Sequence, residues 1–399
     1  TAAGWLSSLS IALSKVELGI IKLISDENNI QMVIFLILVG VEFFLPLRTL
    51  GSAFHVAMNG MSAGKKIIKL LSLKVPKWGQ EQVAAREIVL SNLSFTYPER
   101  EKAAVKDINI TLKKGMSAIV GESGCGKSTT VKSIIRLTEP TSGKVILHGE
   151  DFTSLKGKAL REARKKLKII FQDPYSSLNP RMTVRDIIAE PIDIEKTWKT
   201  RGEREEMVLE TMQLVGLDPT WINRYPHEFS GGQRQRIGIA RAIILKPDIV
   251  ICDEPVSALD VSIQAKIINL LKQLQEELNI SYIFISHDLG VVKHIADRIL
   301  VMYLGHVVEE GTSEDIFNHP SHPYTQTLLN AIPTIGVEMN ESSLIDGDLP
   351  SPSNPPKGCV FHTRCPFAKE ECALKQPEVK DLGNGHQYAC ILNAENESE

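Results

Sequence analysis

The stretch GESGCGKST, residues 121–129, constrains the fold more than any other part of this chain. It fits the pattern G-x-x-x-x-G-K-[ST], and it lies between an apolar run, MSAIV, and a helical pattern, STTVKSIIRL. Glycines allow successive backbone N–H groups to curl around phosphate oxygens, and the N-terminus of the following helix adds partial positive charge. The pattern therefore predicts a phosphate-binding loop between a buried strand and a helix.

Strand-like and helix-like stretches alternate from Ile88 to about Ile332. Short runs rich in β-branched residues, such as DIVICDE and SYIFISHD, are separated by amphipathic stretches such as IQAKIINLLKQLQEEL. This alternation is typical of an α/β fold with a mostly parallel sheet. The formal net charge of −3 gives no general attraction to nucleic acid.

The loop and a second acidic motif predict a site for a nucleoside triphosphate and Mg²⁺. Lys127 is expected to reach the β- and γ-phosphates, and the Ser128 hydroxyl is placed to ligate Mg²⁺. In PDIVICDEP, Asp253 would hold Mg²⁺ directly or through water, and Glu254 would orient or deprotonate the attacking water. The predicted nucleotide-binding residues of the loop are Gly121, Glu122, Ser123, Gly124, Cys125, Gly126, Lys127, Ser128 and Thr129.

The stretch FSGGQRQR, residues 229–236, makes the chain resemble the ATP-binding cassette (ABC) ATPases over about residues 88–332. The resemblance implies a P-loop NTPase cassette with a RecA-like core, an antiparallel β subdomain and a helical signature subdomain at about 174–235. It also implies ATP as the ligand and roles for further residues. These are Tyr97 stacking on adenine, Gln172 sensing Mg²⁺ and the γ-phosphate, His287 contacting the γ-phosphate, and Ser230, Gly231, Gly232, Gln233 and Asp260 at the nucleotide.

In this family the signature loop faces the γ-phosphate that is bound on the opposite subunit. Ser230 and its glycines open a helix, so they also offer N–H groups and a positive helix end. The resemblance implies that ATP joins two cassettes, as a homodimer or a heterodimer, and that hydrolysis releases them. It implies Glu254, His287 and Gln172 as the catalytic residues and Ser128, Gln172 and Asp253 as the Mg²⁺ site.

Three further stretches resemble the ATPase subunits of oligopeptide and dipeptide importers. They are FQDPYSSLNPRMTVRDIIAEP, NHPSHPYTQTLLNAIP and SPSNPPKGCVFHTRCPFA. The resemblance implies a function in peptide import at the cytoplasmic face of the cell membrane, with transmembrane permease subunits as partners and a peptide-binding protein acting indirectly. The alternatives are half of an exporter and a non-transport ABC ATPase acting on DNA or ribosomes.

The predicted tail, residues 334–399, contains four of the six cysteines and is too small and polar to form a core of its own. The resemblance implies that it can carry a [4Fe–4S] cluster. From the residues alone, an iron–sulfur cluster, a zinc ion, free thiols and disulfides are all compatible with the tail. The cysteines concerned are Cys359, Cys365, Cys372 and Cys390.

Residues 1–76 differ in character from the rest of the chain. The run Ile30–Leu47 has 18 residues with one charge, Glu42, and a bilayer span needs about 17–25 apolar residues. We expect about two membrane-type helices here, with a buried helical hairpin as the alternative. The segment resembles the end of the membrane domain of exporter-type ABC proteins of the cysteine/glutathione kind. It would be a remnant of a truncated or recombined reading frame, or an anchor, joined by a linker at 77–87 to a cassette at 88–333.

Overall fold

The computed structural model describes residues 87–98, 100–332, 349–352 and 354–392. The segment 1–76, for which membrane-type helices are predicted, lies outside these residues. Within the described ranges, no helix is both long enough and apolar enough to cross a bilayer.

The described residues form two sheets and a series of helices. The strands are β1 (Ile88–Phe95), β2 (Val105–Leu112), β3 (Met116–Val120), β4 (Ser142–Leu147), β5 (Glu150–Asp151), β6 (Leu167–Ile170), β7 (Ile249–Asp253), β8 (Ser281–Ser286), β9 (Arg298–Tyr303), β10 (His306–Thr312), β11 (Lys380–Gly383) and β12 (His386–Tyr388). The helices are α1 (Lys127–Ile134), α2 (Gly157–Lys166), α3 (Pro174–Ser177), α4 (Val184–Glu195), α5 (Arg201–Leu214), α6 (Gly231–Ile243), α7 (Val261–Leu278), α8 (Leu289–Ile295), α9 (Ser313–Asn318), α10 (Pro323–Asn330) and α11 (Glu370–Leu374).

The larger sheet has the strand order β11-β12-β10-β9-β3-β8-β7-β6. The pairs from β6 through β9 are parallel, whereas β10, β12 and β11 add antiparallel strands at one edge. Every residue of β3, β7 and β8 is buried, as expected of central parallel strands that are covered on both faces. The predicted parallel α/β core is therefore confirmed.

Alternate residues of the central strands enter two different cores. Ala118 and Val250 pack with the helices α4 to α7 on one face, whereas Ile119 and Ile251 pack on the other face. There they meet α1 and the smaller antiparallel sheet, whose order is β2-β1-β4-β5. The strand period of two thus places one helical layer and one β layer around the parallel sheet.

Helix α7 shows how local sequence defines an element of this fold. Asp260 caps its N-terminus by accepting a hydrogen bond from the Ile263 N–H, and Asn279 ends it in the left-handed conformation with a φ of 53°. The apolar residues of the stretch fall on one buried face, as the amphipathic pattern predicts. They are Ile267, Ile268, Leu270, Leu271 and Leu274.

The described part of the tail packs against the cassette. Strand β12 pairs with β10, so the tail extends the larger sheet. Phe361 is 1% exposed and belongs to the same apolar core as the helices of the cassette. Burial against the cassette therefore holds the described part of the tail in place.

A buried ion pair strengthens the docking of the tail. His386 Nε2 lies 2.8 Å from Glu309 Oε1, and both side chains are almost inaccessible to solvent. Glu309 also accepts hydrogen bonds from the backbone N–H groups of Ser321 and His322. The carboxylate of β10 therefore joins the tail to the segment that leads into α10.

This pair makes the stability of the protein depend on pH. The hydrogen bond to Glu309 raises the pKa of His386 above its usual 6.5. Protonated His386 therefore stabilises the folded state fully below about pH 6.5, and this contribution is lost as the pH rises through the folded-state pKa. We expect the difference in Tm between the wild type and His386→Gln to be larger at pH 6 than at pH 8.5. A difference that is equal at both pH values would contradict the assignment.

Candidate functional site

The predicted phosphate-binding loop connects β3 to α1 and closes around the ammonium group of Lys127. Lys127 is 5% exposed, and its Nζ donates hydrogen bonds to Gly121 O at 2.6 Å and Glu122 O at 3.0 Å. At Gly121, which has a φ of 147°, a Cβ would lie 2.2 Å from Met302 O. Only glycine fits there, because the loop backbone runs directly against β9.

A hydroxyl and a carboxylate meet beside this loop. The Ser128 hydroxyl donates a hydrogen bond to Asp253 Oδ1 at 2.9 Å, although the two residues are 125 positions apart. Asp253 ends β7 and is buried, and this burial raises the pKa of its carboxyl group. Hydroxyl and carboxylate oxygens are donors that Mg²⁺ prefers, so the pair fits the predicted metal site.

Two of the three residues predicted to be catalytic, Gln172 and His287, contact the third, Glu254, at the carboxyl ends of neighbouring strands. Glu254 Oε2 accepts a hydrogen bond from Gln172 Nε2 at 2.8 Å, and Glu254 Oε1 lies 3.2 Å from His287 Nδ1. Glu254 has a φ of 45°, and its N–H donates to Ile285 O at 3.2 Å. A carboxylate held in this way, at the mouth of the site, can accept a proton from water.

Tyr97 lies next to the start of α1, with its ring partly exposed. Its hydroxyl is 3.2 Å from Thr129 Oγ1, and its ring meets the Phe95 ring edge-on at 4.8 Å between centroids. The guanidinium of Arg100 lies 5.5 Å from the centroid of the Tyr97 ring. The structure therefore brings the predicted adenine-stacking residue to the phosphate-binding loop, and adds Arg100, which the sequence analysis did not single out.

The predicted signature residues form the N-terminus of α6. Ser230 Oγ accepts a hydrogen bond from the Gln233 N–H, and Gln233 Oε1 accepts one from the Ser230 N–H, which is a reciprocal capping box. A Cβ on Gly231 would touch Leu259, and one on Gly232 would overlap Ile263. The signature loop therefore packs on the turn that contains Asp260, a different loop from the one around Lys127.

The tail cysteines lie near one another. The Cys359 N–H donates to Cys372 O at 2.7 Å, and burial raises the pKa of the Cys365 thiol to about 11, with further contributions from the other tail thiols. No group of three His, Cys, Asp or Glu side chains in the described ranges is placed to hold a metal ion. The predicted iron–sulfur cluster and its zinc alternative therefore have no support here.

Glu122 makes contacts that the sequence analysis did not predict. Its carboxylate pairs with Arg364, and its backbone N–H donates to the hydroxyl of Tyr324. Both partners come from the C-terminal part of the chain, more than 200 positions away. No local pattern could have indicated contacts at this separation.

Comparisons with known proteins show which families the chain resembles. The family model described as ABC transporter matches residues 105–257, and that described as oligopeptide/dipeptide transporter, C-terminal region, matches residues 308–372. The oligopeptide transport ATP-binding protein AppF of Bacillus subtilis is 53% identical over 294 residues, covering 72% of this chain and 89% of the relative. The oligopeptide transport ATP-binding protein OppF of Escherichia coli is 48% identical over 339 residues, covering 84% of this chain and 98% of the relative.

Solved structures show the same fold. The cbiO1 protein of Clostridium perfringens, part of the ABC transporter complex cbiONQ, has a TM-score of 0.54 and 26% identity over 59% of this chain and 92% of that one. The dimeric ABC transporter cassette MJ0796, also solved in a post-hydrolysis state bound to ADP and Pi, has a TM-score of 0.52 and 32% identity. Its match covers 57% of this chain and 98% of that chain.

Fold and loop together define the described residues as an ATP-binding cassette of the P-loop type, and the chain is an ABC ATPase. It belongs to the ABC transporter family, in the group of oligopeptide/dipeptide transport ATP-binding proteins. The exporter resemblance of residues 1–76 is not supported, since the two family models match only later parts of the chain.

Binding of MgATP at this loop should stabilise the protein by mass action. At a nucleotide concentration about 100 times the Kd, the expected gain is about 2.7 kcal/mol, measured as a rise in Tm. Lys127→Ala should abolish the rise, because the buried cation of the loop is lost. Lys132→Ala removes an exposed charge in the last turn of the same helix and should retain it. An undiminished rise in Lys127→Ala would contradict the placement of the phosphates.

Proposed function

We propose that this chain is the ATP-hydrolysing subunit of an importer of oligopeptides or dipeptides, acting at the cytoplasmic face of the membrane. The observation that carries the substrate class is the match of residues 308–372 to the C-terminal region of oligopeptide/dipeptide transporters. The 53% identity to AppF and the 48% identity to OppF, both oligopeptide transport proteins, give independent support. In this proposal the cassette hydrolyses ATP and does not bind the peptide.

In the proposed binding mode, loop 121–129 surrounds the phosphates and Tyr97 stacks on the adenine. Lys127 exchanges its two carbonyl partners for phosphate oxygens, which satisfy its buried charge better than neutral acceptors do. Ser128 and Asp253 would hold Mg²⁺, with Gln172 near the metal and the γ-phosphate. When bound, the metal neutralises charge on the phosphates.

In the proposed hydrolytic step, Glu254 takes a proton from the attacking water. The Gln172 amide and the His287 imidazole hold its two carboxylate oxygens, so the carboxylate is oriented before water arrives. His287 contacts Glu254 through Nδ1, and its side chain is 50% exposed. The imidazole is therefore also available to contact the γ-phosphate. Positioning and charge stabilisation supply most of the catalysis in this chemistry.

The proposed site is completed by a second cassette. Ser230, Gly231, Gly232 and Gln233 form a capped helix N-terminus whose first residue, Ser230, is exposed. It belongs to a different loop from the one that contains Lys127. In the dimer this terminus would face the γ-phosphate of the opposite cassette, with Asp260 between the two sites. The cassette MJ0796 has been solved as a dimer. Closure of the dimer would act on transmembrane permease subunits, to which a peptide-binding protein delivers substrate; the proposal involves no nucleic acid.

Replacing the proposed base should separate ATP binding from turnover. Glu254→Gln keeps a side chain that can bond with Gln172 and His287, but its amide cannot accept the proton. We expect phosphate release to fall by at least about 100-fold, and MgATP to shift the variant to a dimer in size-exclusion chromatography. Glu314→Gln, the same change at an exposed position of α9, should leave both unchanged. Wild-type turnover in Glu254→Gln would remove Glu254 from the role of base.

The signature loop can be tested without losing its helix cap. Ser230→Asp retains an oxygen that accepts from the Gln233 N–H, so the free energy of unfolding should change by less than about 0.5 kcal/mol. It also places a negative charge where the partner's phosphate would lie. In a Glu254→Gln background, we expect Ser230→Asp to prevent the MgATP-dependent dimer.

Thr200→Asp is the matched control, because Thr200 caps α5 through the Glu203 N–H in the same way. This variant should dimerise as the parent does. Dimerisation that is unimpaired in Ser230→Asp would show that the signature loop does not face a phosphate.

A further inference from the structure

A tail arginine forms a two-point ion pair with the phosphate-binding loop. Arg364 Nη1 donates to Glu122 Oε2 at 2.7 Å, and Arg364 Nη2 donates to Glu122 Oε1 at 3.2 Å. The Arg364 side chain is 8% exposed and that of Glu122 is 26% exposed. A bidentate pair of this kind restricts the orientation of both groups, and water screens it poorly at this depth. The carboxylate of the loop is therefore held in one position by the tail.

The backbone of Glu122 is restrained as well as its side chain. Its N–H donates to Tyr324 OH at 2.9 Å, and its carbonyl oxygen accepts from Lys127 Nζ at 3.0 Å. Glu122 is thus bonded on one side to the C-terminal region and on the other to the cation that is predicted to receive the phosphates. A displacement of Glu122 would change the loop around Lys127 directly.

Packing restricts the position of Arg364 next to Glu122. Tyr303, Tyr324 and Phe361 form a buried aromatic cluster, with ring centroids 4.7 to 5.2 Å apart. The Arg364 N–H donates to Phe361 O at 3.0 Å, so the turn that carries Arg364 begins in this cluster. Arg364 Nη1 also lies 3.3 Å from Tyr303 OH. Close packing of large rings leaves the guanidinium little freedom to leave Glu122.

We propose that Arg364 is a positioning residue for nucleotide binding: it holds Glu122, and with it the loop around Lys127, in the shape that receives the phosphates of ATP. The docked tail is then part of the nucleotide site, and its attachment sets the affinity for ATP. This proposal concerns the ATPase activity and does not depend on the transported substrate.

A purely structural role would make different predictions, and the chain offers a matched control. Arg298 also anchors the tail: its Nη2 donates to Gly385 O at 2.9 Å, and it pairs with Glu310 Oε1 of β10 at 2.9 Å. It lies on β9 and bonds to the β11–β12 turn of the tail, not to the phosphate-binding loop. Loss of Arg298 should therefore weaken tail docking without disturbing Glu122.

The first experiment compares Arg364→Ala, Arg364→Lys and Arg298→Ala in the full chain by steady-state ATP hydrolysis and by Tm. We expect Arg364→Ala to raise the KM for ATP about tenfold and to change kcat by less than about twofold. Arg364→Lys retains the positive charge but not the two-point guanidinium geometry, so its KM should lie between those of the wild type and Arg364→Ala. Arg298→Ala should lower Tm with a KM near that of the wild type. A KM in Arg364→Ala no higher than in Arg298→Ala would overturn the proposal.

A double-mutant cycle tests whether Arg364 acts through Glu122. If it does, Arg364→Ala in a Glu122→Ala background should raise the KM by less than about twofold, because the pair is already broken. An undiminished tenfold effect in that background would overturn the proposal. Should Arg364→Ala fail to fold, the cycle is run with Arg364→Lys, which keeps a donor to Tyr303. The criterion is the same: its effect on the KM must disappear in the Glu122→Ala background.

Discussion

The buried ammonium of Lys127 is the constraint on which the site depends. Burying a cation is costly unless acceptors surround it, and here two carbonyls of its own loop do so. They can reach it only because the loop backbone turns tightly at Gly121, against β9, where no side chain fits. The loop is thus shaped around a positive charge before any anion arrives, which is the preorganisation that phosphate binding requires.

Parallel strand order then assembles the remaining groups. The strands β3, β8, β7 and β6 are neighbours, so their carboxyl ends lie along one edge of the sheet. The loop with Lys127, the pair Asp253 and Glu254, and the residues Gln172 and His287 each follow one of these strands. Segments that are 82 positions apart in the chain, as Gln172 and Glu254 are, thereby meet at 2.8 Å. The buried core on both faces of the sheet is what keeps those ends in register.

The local motifs and the meeting of Ser128 with Asp253 were predictable from the sequence, whereas the contacts of the tail with the cassette were not. The loop around Lys127, the capped helix at Ser230 and the amphipathic α7 each depend on residues within one or two turns of each other, so a pattern reveals them. The contact of Arg364 with Glu122 and the pairing of His386 with Glu309 join distant segments whose local sequences are ordinary.

The tail is anchored by contacts that its own composition does not reveal. With four cysteines and few large apolar residues, it suggested a metal as the source of its stability. In the structure Phe361 fills the core of the cassette and β12 joins the sheet, so packing against the cassette stabilises the tail. A short segment that packs on a folded domain needs only a few such contacts. Its composition does not show which residues make them.

The most direct test of the central claim is to purify the full chain from its own membranes in a mild detergent and to identify the subunits that accompany it. We predict transmembrane permease subunits, a second ATP-binding cassette where the dimer is mixed, and ATP hydrolysis by the purified complex. Recovery of the chain with ribosomes or nucleic acid and without permeases would contradict a role in peptide import.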